Sequence, residues 1–371
     1  MTTVVLAGAL AAKPGNAGEA WVRLTWALGL AELGVQVHLV ESADVQAGSV
    51  GARWFAQVTS GAGLAGRATL LDPRGRAVCG PGRDVVAGLA ADGALLVDLS
   101  GTLADPALVA AFRRRCYVDL DPGWTQLWDA AGLLGDALDR YDCHLTVGAA
   151  VDKCGLPLSG RRWFATRPAV LLSAWPALPP AGPALTTVAS WRSPSGTAVH
   201  DGQHLGGKAR QWRPLAQLPL SVPQPCTAVL AADPADAADL DRLRAGGWSL
   251  REPATVAEPG SYRAFVQDSA GELSVAQQMY VATGCGWSSD RSASYLASGR
   301  PVVVQDTGLG PELTGSPAFR VFRTGAEAAA ACRQLAADDP AALAAAARTL
   351  AERHFATGVV LPRVLELAGA R

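Results

Sequence analysis

Lysine is almost missing from this 371-residue chain: Lys13, Lys153 and Lys208 are the only three. Arginine carries the positive charge instead, and with Ala, Gly and Pro in excess the usage resembles the codon bias of a GC-rich, actinobacterial-type genome. Net charge is −1 and charged residues make up 18%. No basic face is implied, so nucleic acid is not an expected partner. The low charged fraction argues against disorder too, and 49% apolar residues are ample for packed cores. No Cys-x-x-Cys pair occurs. The seven cysteines (79, 116, 143, 154, 226, 285 and 332) are odd in number. That argues against a disulfide framework or a zinc ribbon, and for reduced thiols in a cytoplasm. No apolar run reaches the roughly 20 residues of a membrane span. The opening MTTVVLAGAL lacks a basic n-region and reads as a strand rather than a signal peptide. No GxGxxG follows it, so a dinucleotide fingerprint is not supported. The histidines, 38, 144, 200, 204 and 354, are scattered without metal-ligand spacing.

What is present alternates strand and helix. Thr3–Leu10, a helix over Glu19–Leu33 stopped by Gly34, and Val35–Glu41 form a βαβ unit. Further strands are predicted at Ala94–Leu99, Cys116–Leu120 and His144–Val147, with a helix over Pro106–Arg115. The Pro-rich Leu171–Pro183 reads as a linker. A second series follows: Thr186–Ser190, Ala228–Leu230, a helix over Pro234–Ala245 capped by Asp233, a strand at Arg263–Val266, a helix at Ser274–Tyr280 and a strand at Pro301–Gln305. The Ala-rich end, Gly325–Leu367, is predicted helical. The pattern implies an α/β protein with two Rossmann-like domains facing a cleft, over 1–175 and 184–350. A final helix, 351–371, is expected to pack back on the first domain.

The most informative segment is Gly286–Gly310, GWSSDRSASYLASGRPVVVQDTGLG. Ser288, Ser289 and Asp290 are N-cap residues for a short helix that Gly299 ends. Small polar residues at a helix N-terminus seat a diphosphate, because free N–H groups and the positive end of the dipole face the anion. Arg291 would add a charge-assisted contact. Lys208 lies in GGKARQW with Arg210. A lone lysine is normally a solvated surface group, but the glycines before it and the scarcity of lysine make a phosphate contact an equal reading. Asp119 and Asp121, in YVDLDPGW, end a strand. Asp119 reads as structural. Asp121 is either a general base at the strand's C-terminal edge or a turn residue before Pro122. Trp124 and Gln126 would line the acceptor side or pack in the core. Gly15 and Asn16, in KPGNAGE, either let the backbone approach a ligand or form a plain loop; Glu19 suits the helix dipole.

The ASGRPVV stretch resembles the donor-binding segment of GT-B glycosyltransferases. YRAFVQDSAGELSVAQQMYV, YVDLDPGWTQLWD, CGLPLSGRRW and GNAGEAWVRLTWALGLAELGVQVHLVE resemble a bacterial, actinobacterial-type group of glycosyltransferase-like proteins. The resemblance covers most of the chain. It implies the GT-B fold, with an acceptor-binding first domain and a second domain holding a nucleotide diphosphate-sugar. It implies metal-independent transfer with no tightly bound cofactor. The composition, which shows no basic or membrane-binding surface, points to a small-molecule acceptor of the natural-product kind. Ser288, Ser289, Asp290, Arg291, Ser292, Asp306, Thr307, Lys208 and Arg210 would serve the donor.

The chain departs from the retaining pattern where two glutamates are expected: Gly286 and Ser294 stand there. Gly286 also replaces the histidine of the inverting pattern, and Gln277 replaces a basic residue. Asp290 or Asp306 are the candidate substitutes at the donor ribose. The alternatives are a non-catalytic nucleotide-sugar-binding helper and a GT-B sugar epimerase.

Overall fold

The computed structural model describes residues 2–179, 182–193 and 196–370. The first lobe is an eight-stranded sheet: β1 (Thr3–Ala7), β2 (Gln36–Ser42), β3 (Ala68–Leu71), β4 (Ala77–Cys79), β5 (Leu95–Leu99), β6 (Arg114–Asp119), β7 (Cys143–Thr146) and β8 (Trp163–Ala165). Its order is β4-β3-β2-β1-β5-β6-β7-β8, parallel except for β3 against β4. In the second lobe β9 (Leu185–Ser190) is followed by a small antiparallel hairpin, β10 (Ala198–His200) and β11 (Gln203–Leu205). Then come β12 (Cys226–Ala231), β13 (Ser249–Arg251), β14 (Gly271–Ser274), β15 (Val302–Gln305) and β16 (Phe319–Phe322). Apart from the hairpin these form a parallel sheet, β13-β12-β9-β14-β15-β16. Helices cover both faces, so the strands are apolar runs rather than alternating ones, as in the fully buried Val4–Ala7.

Strand order reverses beside β1 in the first sheet and beside β9 in the second. Such switch points open a crevice at the strands' carboxyl ends. Ala9, just past β1, and Val188–Ser190, the end of β9, line one and the same cavity. The fold therefore brings its two switch points together.

The linker is anchored. Trp175 is fully buried, its ring centroid 5.0 Å from Trp21 of the first lobe and 6.4 Å from Tyr262 of the second. The Ala-rich end forms three helices, Gly325–Ala337, Pro340–His354 and Thr357–Leu367, so position 351 falls inside the second of them. Thr357 donates its N–H to Val170 O at 3.0 Å. The last helix lies so close to the first, Ala17–Glu32, that a Cβ on Gly29 would sit 2.4 Å from Thr357 Cγ2.

Three local expectations are corrected. The helix from Pro106 stops at Ala111, because Arg114 opens β6. Arg263–Val266 is not a strand but part of the helix Pro259–Gln267; Pro259 sits in its first turn, and the buried Tyr262 and Val266 share a face at helical spacing. Ser274 ends β14, and the following helix is Gln278–Thr283. Sequence reading also missed the helices Val50–Gly61, Arg83–Ala91 and Trp124–Ala130 and the short strands β3, β4, β8, β10, β11, β13, β14 and β16. No helix among the described residues is long and apolar enough to cross a membrane, and all seven cysteines are unpaired.

Candidate functional site: the cleft between the lobes

The cavity where the switch points meet has a volume of about 440 Å³ and is lined by both lobes. Its first-lobe wall is built from the turn after β1. Glu41, at the end of β2 and fully buried, accepts N–H groups from Leu10 and Ala11 at 2.7 Å and from Ala12 at 2.9 Å. That single carboxylate bends the chain out of the sheet. Lys13 through Glu19 then pass along the cavity. Gly15 adopts φ 72°, where a side chain would be strained. Asn16 caps the first helix by accepting the Glu19 N–H at 3.2 Å. Glu19 pairs with Lys13 at 2.7 Å and with Arg23 one turn on. Burial raises the Glu19 pKa, but the two cations outweigh it and hold the carboxyl down at about 2. Arg23 is 2% exposed, and its Nε has no partner among the described residues.

The floor comes from the end of β6. Asp119 is fully buried and saturated: it accepts from Asp121 N, Thr125 Oγ1, Gln126 Nε2 and Thr146 Oγ1, all within 3.0 Å. It shapes the turn and does not line the cavity. Asp121 does line it. Burial pushes the Asp121 pKa up, against the lowering effect of the Tyr280 hydroxyl, which donates to Oδ1 at 2.7 Å.

The second-lobe wall carries the helix Asp290–Ala297. Ser289 is its N-cap and accepts the Arg291 N–H at 3.2 Å. Ser289, Asp290 and Arg291 all line the cavity. Burial raises the Asp290 carboxyl to about 6, with Arg291 opposing. Arg291 is 7% exposed and turned toward the sheet, donating to Glu272 Oε1 (2.6 Å), Val188 O (2.6 Å) and Ser274 Oγ (2.8 Å). Lys208 differs. It lines the cavity and makes no hydrogen bond or ion pair through Nζ among the described residues. Burial and then the Arg291 charge depress its pKa to about 7.

Among the other residues singled out from sequence, Gly15 and Asn16 line this cavity; Ser288, Ser292, Asp306, Thr307, Arg210, Trp124 and Gln126 do not. Ser288 and Ser292 face a small void behind the helix. Asp306 accepts the N–H groups of Gly308 and Leu309 and pairs with Arg323 at 2.5 Å. Thr307 is 1% exposed and donates to Trp287 O. Arg210 is exposed and donates to His204 O at 3.2 Å. Trp124 is fully buried, and Gln126 serves Asp119 and the Gly123 N–H. Of the two candidate ribose carboxylates, only Asp290 faces the cavity.

Sequence reading missed Arg23, Tyr280 and Trp287. Arg23 carried a signal: an arginine in an otherwise apolar, buried helix face, four residues after an acid. Tyr280 and Trp287, stacked at 4.4 Å and 23°, carried none.

This pair of facing Rossmann-like lobes is the GT-B fold. Solved structures similar to the whole chain include an alpha-glucosyltransferase (AGT) in complex with UDP, at 9% identity, full coverage of both chains and a TM-score of 0.62. Anabaena HepE in complex with UDP is similar at 10% identity, full coverage of both chains and a TM-score of 0.58. Staphylococcus aureus TarM, with Fondaparinux, alpha-GlcNAc-glycerol and UDP, is similar at 8% identity, 99% and 100% coverage and a TM-score of 0.65. At such identities the likeness is one of fold. No protein-family model and no curated protein sequence matches the chain.

Proposed function

We propose that the protein transfers a sugar from a nucleoside diphosphate-sugar, with uridine as the favoured base, to a small-molecule acceptor, without a metal ion. The observation that carries this is the Lys208 ammonium. It faces a two-lobe cavity with no direct ion-pair partner among the described residues, beside the capped N-terminus of the helix Asp290–Ala297. Fixed donors in a poorly hydrated site stabilise charge as it develops on a leaving diphosphate, because they need not reorganise. Lys208, the helix amides at Ser289 and the positive edge of Arg291 supply that field. Asp290 replaces the missing glutamate at the donor ribose. Asp121, on the opposite lobe, takes the acceptor proton, and Gly15 and Asn16 flank the acceptor. The GT-B neighbours bound to UDP support the choice of donor. The cavity volume and the net charge of −1 favour a small acceptor of the natural-product kind over a nucleic acid. Unpaired cysteines support a cytoplasmic setting.

A second reading is favoured by one observation. Gly286 adopts φ 75°, and a Cβ there would lie 2.7 Å from Ala150 N of the other lobe. No glutamate or histidine fits this position, which suits a protein that binds a nucleotide sugar without turning it over. Calorimetry with UDP, TDP and GDP tests the binding common to both readings. Release of free UDP from UDP-glucose or UDP-N-acetylglucosamine then separates them: turnover supports the transferase, and binding without turnover supports the inert binder.

A further inference from the structure

We propose that Tyr280 is a positioning residue for Asp121: from the opposite lobe it holds one carboxylate oxygen and leaves the other for the acceptor hydroxyl. The inference rests on the transfer reading above.

The Tyr280 hydroxyl donates to Asp121 Oδ1 at 2.7 Å. It also accepts from Gln277 Nε2 at 3.1 Å. Gln277 cannot be turned around, because its Oε1 accepts the indole N–H of the buried Trp124 at 3.2 Å. A phenol has one proton. With Gln277 donating to its oxygen, that proton is directed at Asp121. Burial holds the phenol well above its ordinary pKa, so it stays a donor. Trp287 stacks on the ring and fixes its plane. On the Asp121 side, the backbone N–H is held by Asp119 Oδ1 at 3.0 Å. Oδ2 has no hydrogen-bond partner among the described residues, and Asp121 lines the cavity.

The chain of bonds crosses between the lobes twice, from Trp124 to Gln277 and from Tyr280 to Asp121. Trp124 and Asp121 belong to the first, Gln277 and Tyr280 to the second. The base is therefore oriented only while the lobes are together, which ties its readiness to the closed cleft.

A hydrogen bond to the ionised carboxylate favours that form. Tyr280→Phe removes it and raises the Asp121 pKa, so the base form is lost at higher pH and the acid limb of the rate profile moves up. The other groups facing Asp121 are Lys13, Glu19 and Arg23 on the first-lobe wall, Asp119 and Tyr117 on β6, and Lys208 opposite. None of them is altered by the substitution.

The test is the pH profile of UDP-glucose and UDP-N-acetylglucosamine hydrolysis by the full chain and by Tyr280→Phe, which keeps the ring against Trp287. The expected result is an acid limb displaced upward by about one pH unit. The kcat should be lowered about tenfold or more, with the KM for donor within about twofold. A ¹³C carboxyl titration of Asp121, assigned with Asp121→Asn, should move in the same direction. Gln277→Leu should give a smaller displacement of the same sign. Turnover with an unmoved acid limb, or an unmoved Asp121 titration in folded Tyr280→Phe, overturns the positioning role alone. No turnover by the wild-type chain overturns the transfer reading and the role together.

Discussion

Arg291 Nε lies 2.6 Å from Glu272 Oε1 in a pair that joins the helix Asp290–Ala297 to β14, with Glu272 fully buried. The pair decides what Arg291 does. Its guanidinium forks onto the sheet, and so fixes the helix end that presents Ser289 and Asp290 to the cleft. Removing one partner of a buried ion pair strands the other. Arg291→Ala should therefore cost about 3–5 kcal/mol. A thermal or denaturant melt reads this. A variant within about 1 kcal/mol of wild type would show that the pair does not anchor the helix. Loss of donor affinity in Arg291→Ala reports on this anchor as well as on any phosphate contact.

Lys208 should make donor binding pH-dependent. Its pKa is depressed to about 7, mainly by burial. A bound diphosphate favours the ammonium and raises that pKa. Protonated lysine is thus ready below pH 7 and must be recharged above it. Affinity for UDP-glucose, whose diphosphate keeps its charge in this range, should fall by up to about tenfold per pH unit above 7. Calorimetry in buffers of different ionisation enthalpy should show proton uptake at pH 8. Equal affinity at pH 6.5 and 8.5 would contradict the account.

Glu19 should contribute acid sensitivity to stability. Its folded pKa is about 2 against an ordinary 4.5. A depressed carboxyl stabilises fully above its unfolded pKa, and the contribution fades as pH falls from about 4.5 toward 2. The side chain is 30% exposed, so solvent screening reduces the effect to on the order of 1–2 kcal/mol. Glu19→Gln should lower stability at pH 7 by that amount and flatten the dependence between pH 4.5 and 2. Urea melts across this range check it, and an unchanged slope would count against the Lys13–Glu19–Arg23 cluster.

Gly286 should resist replacement. Gly286→Ala forces a Cβ to 2.7 Å from Ala150 N at a positive φ. Backbone atoms cannot retreat as a flexible side chain does. The expected cost is about 1–3 kcal/mol. Gly286→Glu should destabilise further and not raise turnover. A Gly286→Glu variant as stable as wild type, with raised turnover, would show that the loop has room for a carboxylate.

Sequence carried the fold where local signals suffice. Gly34 ends the first helix at φ 77°, at the expected place. Asp233 accepts the Ala235 N–H at 2.9 Å but caps only the 3-10 turn Pro234–Asp236; the α-helix expected from Pro234 begins at Ala237. The cap at Ser289 was equally readable. The site was legible only in part, because its decisive contacts are long-range. Asp121 meets Tyr280 across 159 positions and Trp124 meets Gln277 across 153. Arg291 follows Asp290 by one residue, and the helical turn of about 100° between neighbours sends the two side chains different ways. Asp306 was drawn from the cleft by the turn it makes, since an aspartate before glycine readily accepts N–H groups two and three residues on.

The central claim is that the cleft holds a nucleoside diphosphate through Lys208, and UDP calorimetry on wild type and Lys208→Gln tests it most directly. Lys208 Nζ has no hydrogen-bond or ion-pair partner to strand among the described residues, so the variant should melt at the wild-type temperature or above. The account predicts saturable UDP binding by the wild-type chain, weakened at least about tenfold in Lys208→Gln at pH 6.5. No binding of UDP, TDP or GDP at millimolar concentration, or equal UDP affinity in the two proteins, would contradict it.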